Sequence, residues 1–266
     1  MAHRMARSLR YEYELYVELE IENYKESIPR PAILAIGDEA AAKLAAEPQF
    51  VLTEVLLCEE VDRIIQRRLR LPKYDTWRRK KLKLHEEMRR PEHWGLSRTD
   101  ALVRTLGDTP EHRGTTGHVL LAGEIAQRSA LFLAANGCDV TALDVEEAAV
   151  QSVMEAAIQA GLAERVHAVA AELGQWTPDA PLHAVVCSHS ALNSLSPRER
   201  ARVISVLQSA TADGGIHLVE TILAGSSAIE ELRATYRGWD VSVEAATGEA
   251  QVFLARKEQS GLRVSH

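Results

Sequence analysis

Gly123 and Asp144 stand 21 residues apart at the two ends of a pattern that can bind a nucleotide-like cofactor. Residues 118–144 read as a buried strand, a tight turn, a helix and a second strand that stops at an acid. A glycine in the first turn lets the backbone approach a ligand, and a strand-end carboxylate can accept hydrogen bonds from hydroxyl groups. Positions 125 and 127, where further glycines would widen that approach, hold Ile125 and Gln127. Isoleucine is β-branched and resists a positive φ, so a left-handed residue there implies strain of about 1–2 kcal/mol.

Other reactive side chains are sparser. Ser188, His189 and Ser190 follow an apolar run, and His189 is the candidate general base because an unperturbed imidazole titrates near neutrality. The alternative is a loop histidine with no chemical task. His85-Glu86-Glu87 with Glu92-His93 resembles a metal motif but fails H-E-x-x-H, because Arg89 replaces the second histidine. No metal site is expected. There is no G-x-S-x-G nucleophile motif. Residues 63–90 hold twelve lysines or arginines against three acids, interleaved with Tyr74 and Trp77. Such a segment can follow a phosphate backbone, or it can be a solvated or docked helix face.

The elements that position these residues fall into two groups. Residues 9–28 form an amphipathic helix with a tyrosine-rich face, ended by Pro29 and Pro31. Asp38 is expected to cap a short alanine-rich helix, and a longer helix is expected over 49–71. Asp75 or Thr76 then caps the basic helix, and Ser97 with Asp100 reads as a capping box for one more. DTPEHRGTTG, residues 108–117, is a polar linker. Beyond it strands alternate with helices: strands at 119–122, 140–143, 166–170, 184–187 and 216–219, then 239–245 and 250–255 as an antiparallel hairpin. This divides the chain into an all-α N-terminal domain (1–115), an α/β domain (116–258) and a tail (259–266).

Charge follows the same division. Residues 1–115 carry 21 basic against 20 acidic side chains, and 116–266 carry 10 against 18, so the second half carries essentially all of the chain's net negative charge. Cys58, Cys138 and Cys187 are widely spaced in apolar stretches and read as small buried hydrophobes in a reducing, cytoplasmic setting. No signal peptide or membrane span is expected.

Residues 117–256 resemble the class I S-adenosylmethionine-dependent methyltransferases. The likeness rests on strand order, on Asp144 after Gly123, on the Gly214-Gly215 turn before the fifth strand and on the terminal hairpin. A dinucleotide-binding dehydrogenase would not explain that hairpin. The resemblance implies an α/β fold, a Rossmann-like, doubly wound sheet of seven strands, and S-adenosylmethionine as cofactor. It implies cofactor contacts from Gly123, Glu124, Asp144 (ribose hydroxyls), Val145, Glu172 and Leu173 (adenine), and Ser188, with His189 as the catalytic candidate. It further implies that N-terminal helices cover the cleft, where Tyr13, Tyr16 and Tyr24 would meet the substrate.

The chain departs from the family pattern at Leu121, where an acid is expected, and at His183, which replaces an aspartate opening the fourth strand. The activity implied is methyl transfer to a small-molecule acceptor. The alternatives are a catalytically inactive scaffold or partner-binding subunit, and an RNA-binding or RNA-methylating protein. A homo-oligomer or a protein partner through the N-terminal helices is a further expectation, and no membrane association is expected.

Overall fold

The computed structural model describes residues 8–46, 53–107, 117–123, 126–223, 227–246 and 250–258. The chain forms two compact units, residues 1–84 and 85–266. The division falls inside a helix, so residues 85–107 belong with the second unit.

The first unit is helical: α1 (Leu9–Ser27), α2 (Arg30–Ala45), α3 (Glu54–Leu69) and α4 (Tyr74–Met88), which crosses the division. Ile21, Ile36, Ala40, Ile64 and Ile65 form its core, with Tyr24 packed against them. Asp38 caps no helix. α2 already starts at Arg30, because Pro29 and Pro31 fix φ in the helical range and place Pro31 in the first turn, where its missing N–H costs nothing. Thr53 caps α3 through its hydroxyl, so the helix begins later than its apolar spacing implies. α4 begins at Tyr74, with Asp75 and Thr76 inside its first turn.

Glu60 is buried on α3, and its carboxylate accepts from Lys43, from Arg63 Nη1 at 3.2 Å and from Arg67 Nη2 at 3.1 Å. The Lys43 hydrogen bond leads in holding its pKa below the ordinary carboxylate value, against the cost of burial. All three cations reach solvent, so removing the acid strands no buried charge. Glu60→Ala is expected to cost about 1–2 kcal/mol, the worth of charge-assisted hydrogen bonds partly replaced by water. A depressed carboxylate pKa stabilises above its unfolded value and loses that contribution as pH falls through the folded pKa. Urea unfolding of the full chain at pH 7 and pH 4 should therefore show the wild-type advantage shrinking at the lower pH.

The second unit opens with a 3-10 turn (Pro91–Trp94) and α5 (Ala101–Leu106). Asp100, not Ser97, precedes α5, and Asp100 Oδ2 accepts from Ser97 N at 2.8 Å. Then come β1 (His118–Ala122), α6 (Ala126–Ala135), β2 (Asp139–Asp144), α7 (Glu147–Gln159), β3 (Val166–Ala170) and β4 (Leu182–Ser188). They are followed by α8 (His189–Asn193), α9 (Pro197–Ala210), β5 (Thr211–Leu223), α10 (Ala228–Thr235), β6 (Trp239–Ala245) and β7 (Ala250–Lys257).

The seven strands form one sheet in the order β3-β2-β1-β4-β5-β7-β6. β7 is antiparallel to β5 and to β6, and the other neighbours are parallel. The Rossmann-like doubly wound sheet and its terminal antiparallel hairpin are thus present. The period-2 alternation of each strand separates the two faces. Val119, Leu121, Ala184, Val186 and Leu218 pack under α5, α6 and α7, while Leu120, Ala122, Val185, Cys187 and Val219 pack under α8, α9 and α10.

Three details differ from the sequence reading. β5 runs from Thr211 to Leu223, longer than expected, and takes the Gly214-Gly215 turn within it: Thr211 and Ile216 face Leu182 and Ala184 of β4, and Gly214 has φ +76. The five-residue α8 is too short to show periodicity. Cys58 is exposed, Cys138 half-buried and Cys187 buried, so only the last fits the expected small core hydrophobe fully. Burial pushes the Cys138 thiol up to about 11 and the Cys187 thiol up to about 12.

Candidate active site at the carboxyl edge of the sheet

The sheet reverses its winding between β1 and β4, and the crevice outside the carboxyl ends of those strands is where such folds place ligands. Gly123 follows β1 with φ +93, and its N–H donates to the carbonyl of Leu143 at 3.1 Å. A β-carbon there would overlap Ser188 Oγ and come within 3.2 Å of Ala191 Cβ. The glycine therefore serves two needs, a left-handed turn and close passage of the end of β4. Ser188 is buried and caps α8, its Oγ accepting from Ala191 N at 3.2 Å and lying 2.8 Å from Ser190 Oγ.

Asp144 ends β2, half-buried, and its Oδ1 accepts from Glu146 N at 2.9 Å. That bond fixes the carboxylate plane, and Oδ2 has no partner among the described residues. Val145, next in the chain, is 70% exposed. Across from them Leu173 is buried under the second face, while Glu172 is exposed and accepts from Gln175 Nε2 at 3.2 Å. Glu124 and Ile125 lie outside the described residues. Leu121 is fully buried, so its side chain serves the core, and Gln127 is exposed on α6. The His183 ring lies over Gly117 at the opposite, amino end of the sheet.

His189 lines a cleft between α8, α9 and α10, on another side of α8 from Ala191. Burial, then the charge of Arg200, lowers its pKa, against the pull of Glu231. Tyr13, Tyr16 and Tyr24 lie in the helical unit. Tyr13 donates to Pro72 O at 3.0 Å and packs on Tyr74 and Trp77, Tyr16 stacks on Trp77 with ring centroids 6.1 Å apart, and Tyr24 borders the isoleucine core.

One residue at the carboxyl edge escaped notice in the sequence. Glu220 stands opposite Ser188 across β4 and β5. A bulge there sets two residues of β5 against one of β7, with Thr221 at φ +60. Bulges re-aim side chains at the ends of strands. Burial raises the Glu220 carboxyl pKa, the nearby Asp100 charge adds to that, and a hydrogen bond from the Leu102 backbone opposes it. Glu220 follows the run Ile216–Val219 as Asp144 follows Val140–Leu143, and that shared pattern was the available signal.

The family described as tellurite resistance protein TehB matches residues 114–249, just over half of the chain. The chain belongs to the TehB family. It is thereby a member of the class I S-adenosylmethionine-dependent methyltransferase superfamily, and its match spans the crevice from Gly123 to Glu220.

Among solved structures, the TehB-family chain is similar to TehB from Haemophilus influenzae, with 17% identity over 54% of this chain and 58% of that one, and a TM-score of 0.46. It spans less than two thirds of that protein. It is also similar to the N-methyltransferase NodS from Bradyrhizobium japonicum, with 11% identity over 54% and 86% of the two chains, and a TM-score of 0.44. A third likeness is to the 1,6-didemethyltoxoflavin-N1-methyltransferase of Burkholderia thailandensis, with 20% identity over 56% and 74%, and a TM-score of 0.44. No curated protein matches the chain.

No group of histidine, cysteine or acidic side chains among the described residues could hold a metal ion. No helix of the described residues is long and apolar enough to cross a membrane.

Proposed function

We propose that this TehB-family chain is an S-adenosylmethionine-dependent methyltransferase acting on a small-molecule acceptor. The observation that carries the reading is the Asp144 carboxylate at the carboxyl end of β2, next to β1 and the switch point, oriented by Glu146 N and with its other oxygen unpartnered among the described residues. The residues present fit the cofactor: Asp144 matches a ribose diol, the exposed Val145 offers apolar surface to a purine, and the Gly123 turn brings backbone to the crevice edge. Bound there, S-adenosylmethionine would supply an electrophilic methyl group on a sulfonium. The chain's own task is chiefly to align acceptor and donor, which methyl transfer needs more than acid–base help.

Acceptor class follows from charge. Asp144, Glu172, Glu220 and Asp100 gather negative charge around the carboxyl edge, which disfavours a phosphate backbone and suits a neutral or amine-bearing small molecule. The basic residues of 63–90 are partly neutralised within the helical unit, where Arg63 and Arg67 pair with Glu60, Arg68 with Glu39 and Lys81 with Glu12.

Calorimetry with S-adenosylmethionine and S-adenosylhomocysteine tests the reading. Asp144→Ala is expected to weaken the homocysteine form about tenfold to a hundredfold, the worth of hydrogen bonds to a charged acceptor. Absence of heat from the wild type at millimolar ligand would overturn the proposal and leave the non-catalytic scaffold as the function of this fold.

A further inference from the structure

Two outward faces of the helical unit are complementary. α1 buries Tyr13 and Ile21 on one side and turns Glu14, Leu15, Glu18, Leu19, Glu22 and Glu26 to solvent. Residues four apart lie on one row of a helix. Leu15 and Leu19, the latter 60% exposed, therefore form an apolar row beside an acidic row. α4 carries the opposite charge. Its Arg78, Arg79 and Leu82 are exposed, with Arg78 and Leu82 on one row and Arg79 on the next. Lys81, on another side of α4, pairs with Glu12, but among the described residues no acid pairs with Arg78 or Arg79.

The faces themselves narrow what covers them. A nucleic acid is a poor occupant of α4, because base stacking needs accessible rings and those of Tyr74 and Trp77 are packed against Tyr13 and Tyr16. The acidic row of α1, in the same unit, also repels phosphates. A second copy of this chain fits, since every copy offers one acidic–apolar and one basic–apolar face. A two-fold axis makes each such contact twice. Pairing α1 with α1, or α4 with α4, would set like charges together, so the crossed arrangement is the attractive one.

We propose that the chain forms a two-fold homodimer in which α1 of each copy packs on α4 of the other. Glu14 and Glu18 meet Arg78 and Arg79 across the contact, and Leu15 and Leu19 cover Leu82.

Sedimentation equilibrium of the full chain without cofactor tests the dimer apart from the methyltransferase reading. The wild type is expected to dimerise with a Kd of about 10 μM, the strength of a small, charge-led interface. Raising salt from about 0.1 M to about 1 M shortens the Debye length from about 10 Å to about 3 Å and should weaken the dimer about tenfold. Two charge-swapped chains then decide the contact. Glu14→Lys with Glu18→Lys, and Arg78→Glu with Arg79→Glu, should each weaken self-association at least about tenfold, because like charges meet. Mixed in equal amounts, the two should associate within about threefold of the wild-type Kd, since every reversed charge finds a reversed partner. Far-ultraviolet circular dichroism checks that the helices persist, and the single changes Glu18→Lys and Arg78→Glu replace a double change that loses them. A wild type that stays monomeric at about 100 μM, ten times the expected Kd, would overturn the proposal. So would a swapped chain that dimerises like the wild type, a mixture that stays monomeric, or a monomer that binds single-stranded RNA through Arg78 and Arg79.

Discussion

Gly123→Ala is expected to destabilise the α/β unit by about 2–5 kcal/mol. Two costs add at this position. Gly123 has φ +93, where an L side chain is strained by about 1–2 kcal/mol. The new methyl group would overlap Ser188 Oγ and crowd Ala191 Cβ at 3.2 Å, and overpacking a closed site typically costs about 1–3 kcal/mol. A double-mutant cycle separates the two. Ser188→Gly alone loses the α8 cap, a change of a few tenths to about 1 kcal/mol. Combined with Gly123→Ala, it removes the overlap but not the φ strain, so the pair should be more stable than the sum of the singles by about 1 kcal/mol or more. Urea unfolding monitored by tryptophan fluorescence reads this directly. Strict additivity would mean that β4 does not pass Gly123 as closely as the structure shows.

The second large effect concerns pH and arises on β5. His217 is 1% exposed, with its Nε2 2.7 Å from Thr211 Oγ1 and its Nδ1 2.7 Å from Tyr236 Oη. Thr211 Oγ1 donates to Leu207 O at 2.7 Å, so it accepts from His217 Nε2–H, and Nδ1 accepts from the tyrosine hydroxyl. The neutral ring is therefore fully satisfied, and Trp239 packs against it with centroids 4.8 Å apart. Burial, with a smaller push from Lys257, lowers the imidazole pKa to about 3.

The sign follows. A histidine whose folded pKa lies below its unfolded value stabilises fully above the unfolded pKa, about 6.5, and loses that contribution as pH falls toward 3. Between pH 7 and pH 5 the loss from this group is about 2 kcal/mol. His217→Gln cannot titrate, so it should cost about 1–3 kcal/mol at pH 7 through broken hydrogen bonds. The gap between it and the wild type should then narrow by about 2 kcal/mol at pH 5. Taking the difference cancels every other titrating group. A gap that stays constant with pH would show that His217 does not remain neutral in the fold.

Residues 118–144 and the strand–helix alternation beyond them carried the fold class in the sequence, because buried parallel strands need apolar runs and the intervening helices need a different period. Asp144 was legible for a related reason. An acid at the end of such a run stands at the sheet's carboxyl edge whatever the tertiary details. The terminal hairpin was legible from two strands too close in sequence for a helix between them.

Other features needed the folded chain. That Ser188 sits against Gly123 depends on β4 pairing beside β1, a contact between residues 65 positions apart that no local pattern encodes. His189 directly follows Ser188 of the carboxyl-edge crevice in sequence, yet it turns to the α8–α9–α10 cleft because helix geometry gives neighbouring residues different faces. The tyrosine face of α1 looked available in sequence. Tertiary packing places Tyr13 and Tyr16 in an aromatic cluster with Tyr74 and Trp77, since burying rings together removes more apolar surface from water than exposing them. Sequence determines which strand ends can carry chemistry, through local periodicity. Only the tertiary structure decides which side chains meet there, because those meetings are set by long-range pairing.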